Sequence, residues 1–444
     1  MGKYFGTDGF RGEAGKTLTA SQAYKVGRFI GHYFASKKTS ERARIVIGKD
    51  TRRSSYMLEY SIAAGITSAG ADAYMLHVIT TPGVSYVTRL EGFDMGIMIT
   101  ASHNPFYDNG IKLINAYGEK LDEETTELVE AFLDTDDDLP LATGERIGAI
   151  VDHNSGRNRY MGYLISLASN SYKNLRIGLD CANGASWNIA RSVFGALGAE
   201  LHTVGCEPDG LNINRDCGST HMERIQRLVR EKHLDIGFAF DGDADRCLAV
   251  DEKGRVVDGD AIMYILAKRL RAKGMLSKNK VAATVMSNSG FVKSLSREGI
   301  ECEQTKVGDR FVYERMQAED ISLGGEQSGH IIMRKYATTG DGLLTAIMIC
   351  EEVCDKKTAL SELAAGVKLY PQYTLNVKVA DKDAAIERES VKARLSEINA
   401  LIGDAGRVLL RKSGTEPLVR IMVESESEEL CRKYAEMLRE VIEQ

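Results

Sequence analysis

Three aspartates at alternate positions, Asp241, Asp243 and Asp245 in "LDIGFAFDGDADRCLAVD" (234–251), are the densest chemical signal in the chain. They follow an apolar run, and an extended backbone would turn alternate side chains to one side. Three converging carboxylates repel one another unless a cation sits among them. An all-oxygen set favours a hard divalent ion, magnesium first. An EF-hand loop fits poorly, because Arg246 stands at the sixth position, where that loop needs glycine. Taken alone, the segment also suits a solvated acidic turn.

Four other stretches carry residue types suited to phosphate and sugars. In "ITASHNPFYDNGIK" (99–112) an apolar run breaks into a polar turn at Ser102. A hydrolase would need a G-x-S-x-G elbow or a separate base, and neither accompanies Ser102. His103 is adjacent in sequence, a poor position for that base. By itself the segment suits an N-cap, with Ser102 or Asn104 closing a helix or turn. In "RKSGTEPLVR" (411–420), Arg411 and Arg420 bracket Ser413, Gly414 and Thr415. Guanidinium forks, hydroxyls and the amides of a glycine turn make an anion nest, although a hairpin or βα turn uses the same residues. "GGEQSGHI" (324–331) places Glu326, Ser328 and His330 at alternate positions, expected on one face and suited to sugar hydroxyls; an ordinary loop is the alternative. "FGTDGFRG" (5–12) reads as a glycine-rich loop with Arg11 near a phosphate. No GxxxxGK[ST] is present and no GxGxxG follows a strand, so nucleotide binding has no support.

The elements needed to hold these segments are visible as an alternation of β-branched runs and helical patterns. "RIVIGKD" (44–50) reads as a strand, 56–70 as a helix and "DAYMLHV" (72–78) as the next strand. Strand, glycine-bearing turn and helix recur at 175–199 and 280–299, which predicts α/β layers with largely parallel strands. "VDHNSGRN" (151–158) has the polar character of a linker, and a further break falls near "YPQY" (370–373) before a smaller α+β tail ending in a charged amphipathic helix (426–443). A chain of 444 residues exceeds one ordinary core and should hold several domains.

Composition narrows the partners. A net charge of −6 over the whole chain argues against a nucleic-acid binder. No apolar run approaches the roughly 20 residues that cross a bilayer, and "MGKYFGTDGFRG" lacks the apolar region of a signal peptide. Eight scattered cysteines without a CxxC suggest reduced, packed thiols in a cytoplasm.

In this order, "TASHNP", "DGDADR", "GEQSGH" and "RKSGTEPLVR" resemble the phosphoserine, metal, sugar and phosphate loops of the α-D-phosphohexomutase superfamily, and the resemblance covers the whole chain. "FGTDGFRG" and the glutamine of "GEQSGH" are most similar to the bacterial phosphoglucosamine mutase family. Ala244 stands where that subgroup usually has glycine, and Lys412 where it commonly has proline.

The resemblance implies an α/β protein of four domains around a central cleft. Three α/β domains with mixed sheets (1–154, 155–254 and 255–369) would precede a smaller TATA-box-binding-protein-like α+β domain (370–444). It further implies interconversion of glucosamine 6-phosphate and glucosamine 1-phosphate, feeding UDP-N-acetylglucosamine synthesis. Ser102 would carry the phosphoryl group, and one Mg2+ would be held by Ser102, Asp241, Asp243 and Asp245. Arg411, Ser413, Gly414, Thr415 and Arg420 would hold the substrate phosphate, with Glu326 and Ser328 on sugar hydroxyls. Lys112 and His330 are the candidate bases, supported by Arg11, His103 and Arg246. A hexosamine 1,6-bisphosphate would be the intermediate and activator. The implied partner is a small sugar phosphate, with no nucleic acid and no membrane, and a homodimer is compatible with it. Competing readings are a phosphomannomutase or phosphoglucomutase with the same apparatus, a magnesium-dependent sugar phosphatase, and a non-catalytic sugar-phosphate sensor.

Overall fold

The computed structural model describes residues 2–6, 8–39, 41–136, 139–412 and 418–443. The chain divides into two compact units, residues 1–285 with 303–364, and residues 286–302 with 365–444.

The first sheet of the larger unit contains β1 (Phe5–Gly6), β2 (Gly9–Glu13), β3 (Arg44–Lys49), β4 (Asp72–Val78), β5 (Met95–Ile99), β6 (Asp108–Asn115) and β7 (Ile150–Asp152). Their order is β1-β2-β6-β5-β3-β4-β7; β5, β3, β4 and β7 are parallel, and beyond β5 each neighbour is antiparallel, so β6 and β1 run against the parallel set and β2 runs with it. Every residue of "MGIMI" in β5 is buried, as expected for a strand covered on both faces. Four helices accompany this sheet: α1 (Ala20–Ala35), α2 (Arg53–Ser68), α3 (Thr81–Leu90) and α4 (Glu123–Leu133). Helix α1 begins in a reciprocal capping box between Thr19 and Gln22.

The segment 151–158 is no linker. It ends β7, which pairs with β4, and begins α5 (Asn154–Ser166). Its polar composition reflects a short edge strand and a helix that buries only Gly156, Tyr160 and Leu164. Among the polar groups there, His153 Nε2 lies 2.9 Å from Glu91 Oε2.

A second sheet runs β12-β11-β10-β8-β9, from β8 (Arg176–Asp180), β9 (Glu200–Val204), β10 (Ile236–Phe240), β11 (Cys247–Asp251) and β12 (Val256–Val257). β8, β9 and β10 are parallel, and β11 returns antiparallel beside β10. Helices α6 (Ile189–Ala196) and α7 (Glu223–Lys232) belong to this part of the chain. A third sheet is ordered β14-β13-β15-β16, with β13 (Lys280–Thr284), β14 (Glu301–Thr305), β15 (Leu323–Gly325) and β16 (Ile331–Met333). Around it in sequence lie α8 (Gly259–Ala272), α9 (Ser289–Arg297), which falls in the smaller unit, α10 (Asp309–Ala318) and α11 (Gly342–Lys356). Helix α11 is buried along most of its length, including Cys350.

The smaller unit contains a three-stranded antiparallel sheet, β17-β19-β18, formed by β17 (Gln372–Lys378), β18 (Arg407–Lys412) and β19 (Leu418–Glu424). The C-terminal helix Glu428–Glu443 turns Cys431, Tyr434, Ala435, Leu438, Val441 and Ile442 inward, a spacing of three and four residues that makes one apolar stripe. All eight cysteines are free. Among the described residues, no helix is long and apolar enough to cross a membrane.

Candidate active site

The strands of the first two sheets deliver their polar residues at carboxyl ends, where open parallel sheets place ligand sites. Ser102 follows β5, Asp50 and Arg52 follow β3, Thr80 and Thr81 follow β4, and the acidic triad follows β10. The triad does not converge by strand alternation, as the sequence suggests. β10 ends at Phe240, and residues 241–246 form a turn in which Ala244 takes a left-handed backbone, φ +54°. That conformation explains why glycine is expected at this position. One carboxylate oxygen from each aspartate nevertheless lies within 4.8 Å of the others.

This turn is packed against a second one. Ala185 N–H donates to Gly242 O at 2.7 Å, and a Cβ on Gly184 would lie 2.3 Å from that oxygen. Glycine at 184 is therefore required by close approach of two backbones.

Ser102 is buried at φ +51° and donates from Oγ to Asp241 Oδ2 at 2.6 Å. His103 Nδ1 lies 3.3 Å from Ser102 Oγ and 3.3 Å from Arg246 Nη1. Burial, reinforced by the charges of Arg246 and Arg11, lowers His103 to about 4, so its ring is neutral near pH 7. Asp241 also accepts from Arg246 N–H at 3.1 Å. Burial and the neighbouring Asp245 and Asp243 carboxylates push Asp241 well above the usual carboxylate range.

Lys112, on β6, reaches both other members of the triad: its Nζ is 2.6 Å from Asp243 Oδ2 and 2.9 Å from Asp245 Oδ2. Burial opposes its charge, but Asp243 and Asp245 outweigh burial and raise its pKa. Thr81 Oγ1 donates to Asp243 Oδ2 as well. The remaining oxygens, Asp243 Oδ1 and Asp245 Oδ1, are buried with no hydrogen-bond partner among the described residues. Orphaned carboxylate oxygens are costly unless a cation neutralises them. The donor set therefore fits one hard divalent ion such as magnesium.

The segment 326–330 is also not an extended strand. It is the turn between β15 and β16, closed by Glu326 N–H to His330 O at 3.0 Å. An isolated bridge joins His330 to Arg246, which brings the turn to the metal loop. His330 Nε2 accepts from Gly340 N–H at 3.0 Å, and Nδ1 is 3.7 Å from Asp245 Oδ1. Glu326 Oε1 accepts from Gly308 N–H at 3.2 Å, whereas the buried Ser328 Oγ has no partner among the described residues. Beside His330 lies a cavity of about 250 Å³ lined by Lys120, Asp309, Arg310, Tyr313 and Thr338.

Arg11 stands on strand β2, opposite Gly110 of β6, and not in a loop. β1 pairs antiparallel with β2, and Arg11 Nη2 is 3.4 Å from Asp8. In the smaller unit, Arg411 of β18 and Arg420 of β19 are direct cross-strand partners. Ser413, Gly414 and Thr415 lie outside the described residues. Lys412 is paired with Asp383, so its charge is compensated within the same unit.

Sequence reasoning missed the buried residues behind Ser102. Asp50, Arg52 and Thr100 lie in "GKDTRRSS" and at the end of "GIMIT", so their place after apolar strands was a readable signal. Asn214, which also reaches this loop, has no such signal.

Four phosphoglucomutase/phosphomannomutase domain families match the chain in order: α/β/α domain I over residues 2–139, α/β/α domain II over 158–254, α/β/α domain III over 258–370 and the C-terminal domain over 375–441. A phosphoglucosamine mutase of Lachnospira eligens is 57% identical over 443 residues, covering 100% of this chain and 98% of that protein. The chain belongs to the phosphoglucosamine mutase family. Solved structures share the fold. A phosphoglucomutase/phosphomannomutase family protein from Burkholderia thailandensis superposes with a TM-score of 0.83 at 24% identity, covering 99% of this chain and 97% of that one. An Aspergillus fumigatus N-acetylphosphoglucosamine mutase, solved in complex with GlcNAc-6P and magnesium, gives 0.70 at 18% identity, with 99% and 95% covered. Phosphoglucosamine mutases are thus related to this chain throughout, and the four-domain architecture is theirs.

Proposed function

We propose that the chain interconverts glucosamine 6-phosphate and glucosamine 1-phosphate through a phosphoryl group carried on Ser102. The observation that carries the reading is a buried serine hydroxyl on Asp241, inside a triad of carboxylates with orphaned oxygens, in a member of the phosphoglucosamine mutase family.

Asp241, Asp243, Asp245 and the oxygen on Ser102 would hold one magnesium ion, which when bound withdraws charge from the transferring phosphoryl group. In the first transfer the free sugar hydroxyl forms a bond to phosphorus as the Ser102 Oγ–P bond breaks, and the products are a hexosamine 1,6-bisphosphate and free Ser102. The hydroxyl proton goes to a base. The candidates are Lys112 and His330, which both lie against Asp245 (2.9 and 3.7 Å). Lys112, held as the ammonium by Asp243 and Asp245, would have to give up a proton, as to the departing Ser102 oxygen, before it could take one. The bisphosphate then turns, and its other phosphate returns to Ser102, so the sum of the two steps is an isomerisation.

Glu326 and the Ser328 hydroxyl, which has no partner among the described residues, are assigned to sugar hydroxyls. Arg411 and Arg420, facing each other across two strands, are assigned with Ser413, Gly414 and Thr415 to the phosphate not in transfer, since like charges directly opposed favour an anion between them. Arg11, His103 and Arg246 supply polar support around the serine. We place the reaction in the cytoplasm, ahead of UDP-N-acetylglucosamine synthesis.

The test is product analysis by phosphorus NMR with glucosamine 6-phosphate, run beside glucose and mannose phosphates, together with mass spectrometry of the Ser102 peptide. Retention of phosphate on the hexosamine and one phosphoryl group on Ser102 are expected. Release of inorganic phosphate, or full activity with Ser102 unmodified, overturns the reading.

A further inference from the structure

The loop that presents Ser102 is gripped by its backbone. Arg52 is wholly buried, and its guanidinium offers five N–H donors in a fixed plane. Nε donates to Asp50 Oδ2 at 2.8 Å. Nη1 donates to Pro105 O and, at 3.1 Å, to Asp108 O. Nη2 donates to Ser102 O and Asn104 O, both at 2.9 Å. All five donors are used, and four go to carbonyls of the seven residues from Ser102 to Asp108.

From elsewhere in the chain, Asn214 Nδ2 donates to two of the same carbonyls, Ser102 O at 2.8 Å and Asn104 O at 3.0 Å. Asn214 is itself anchored, since its N–H donates to Ala182 O at 2.9 Å. On the other side of Ser102, its N–H donates to Thr100 Oγ1 at 2.9 Å, and Thr100 Oγ1 donates to Asp50 Oδ2 at 2.8 Å. One carboxylate, Asp50, therefore orders both the arginine that holds the carbonyl of Ser102 and the threonine that holds its amide.

A helix cap or an ordinary polar turn does not need this. Ser102 occupies the left-handed region, which a residue with a side chain holds only when its surroundings over-determine it. If either flanking peptide rotated, Oγ would swing off Asp241. We infer that Arg52 and Asn214 are positioning residues that fix Ser102 for phosphoryl exchange by clamping the carbonyls of Ser102 and Asn104 together. The inference rests on Ser102 being the phosphoryl carrier.

The test uses the full-length chain with Arg52→Lys and Asn214→Ala, measuring kcat, KM for glucosamine 6-phosphate, Ser102 phosphate occupancy by mass spectrometry, and Tm. Lysine keeps the charge but cannot serve four carbonyls, so Arg52→Lys should lower kcat on the order of 100-fold, the penalty of a roughly 1 Å misplacement. Asn214→Ala removes one of two donors and should lower kcat by about 10-fold. In both, KM should stay within about threefold, because sugar binding does not use this clamp.

Guanidinium at concentrations below those that unfold the protein should restore part of kcat in Arg52→Gly. A folded Asn214→Ala protein with unchanged kcat overturns the inference, even if the Arg52 variants fail to fold. So does a loss confined to KM, or one that follows only the unfolded fraction. If instead wild-type turnover survives Ser102→Ala, the parent reading fails and takes this one with it.

Discussion

Ser102 Oγ is hydrogen-bonded to Asp241 Oδ2 at 2.6 Å although 139 residues separate them. The contact ties a turn after β5 to a turn after β10, and it makes the serine a neighbour of the carboxylates without any ligand in between. Ser102→Ala should therefore abolish the phosphoprotein and lower turnover by at least about 10,000-fold, as losing a covalent carrier does. Intact-mass measurement before and after phosphatase, beside a coupled assay, checks it; a variant with more than a trace of activity contradicts it.

Lys112 satisfies Asp243 and Asp245 but also repels any cation they bind. Lys112→Met should tighten Mg2+ binding measured by calorimetry while slowing turnover. A variant that loses Mg2+ affinity would show that the lysine organises the triad and does not compete for it.

A methyl group at position 242 has no room. A Cβ on Gly242 would stand 2.5 Å from Ser102 O, a backbone atom. Gly242→Ala should cost about 1–3 kcal/mol of stability by overpacking. It should cost more in kcat than its Tm implies, because the displaced atom belongs to the serine; equal effects on both would count against this account.

Asp180, at the end of β8, is pushed up to about 6 by burial, against the opposing hydrogen bonds from the Gly218 and Ala182 amides. A carboxyl whose folded-state pKa is raised stabilises the fold when protonated, and that stability is lost as pH rises from about 4 to about 6. Asp180→Asn removes the titration. Relative to wild type, the variant should gain up to about 3 kcal/mol between pH 4 and pH 7. Parallel Tm profiles of the two proteins over that range would refute the prediction.

Arg411 and Arg420 repel each other across β18 and β19. Arg411→Gln should leave the unliganded protein as stable or slightly more stable, yet raise KM for the sugar phosphate by more than about tenfold, the worth of a charge-assisted contact. In wild type, added inorganic phosphate should raise Tm, and the variant should respond less. An equal response in both proteins removes Arg411 from the phosphate site.

The sequence marked Ser102 and the three aspartates as polar residues set directly after apolar runs, but the geometry that unites them was not legible. Asp241, Asp243 and Asp245 meet through a turn with Ala244 left-handed, where alternation predicted an extended strand. Arg11 was read into a loop, yet hydrogen bonding to β6 makes its segment a strand. The stretch 151–158 looked like a linker because a short edge strand and a helix with few buried residues are both polar in composition. Strand–helix alternation, in contrast, survived translation into sheets, since burial on both faces leaves continuous apolar runs such as 95–99. Least visible was Asn214, an amide whose importance lies wholly in where the chain brings it.

The clamp on Ser102 also has a consequence for the order of events during synthesis. β5 and β6 can pair as soon as they emerge, and Arg52 and Thr100 are already there to hold the turn between them, but its contacts with Asn214 and Asp241 come from more than a hundred residues later. Contacts so distant in sequence form after local ones. A ribosome-bound chain that ends before residue 214 thus holds a serine without its amide grip or its carboxylate neighbour. Charging of the serine is expected to wait until well over half of the protein has been made.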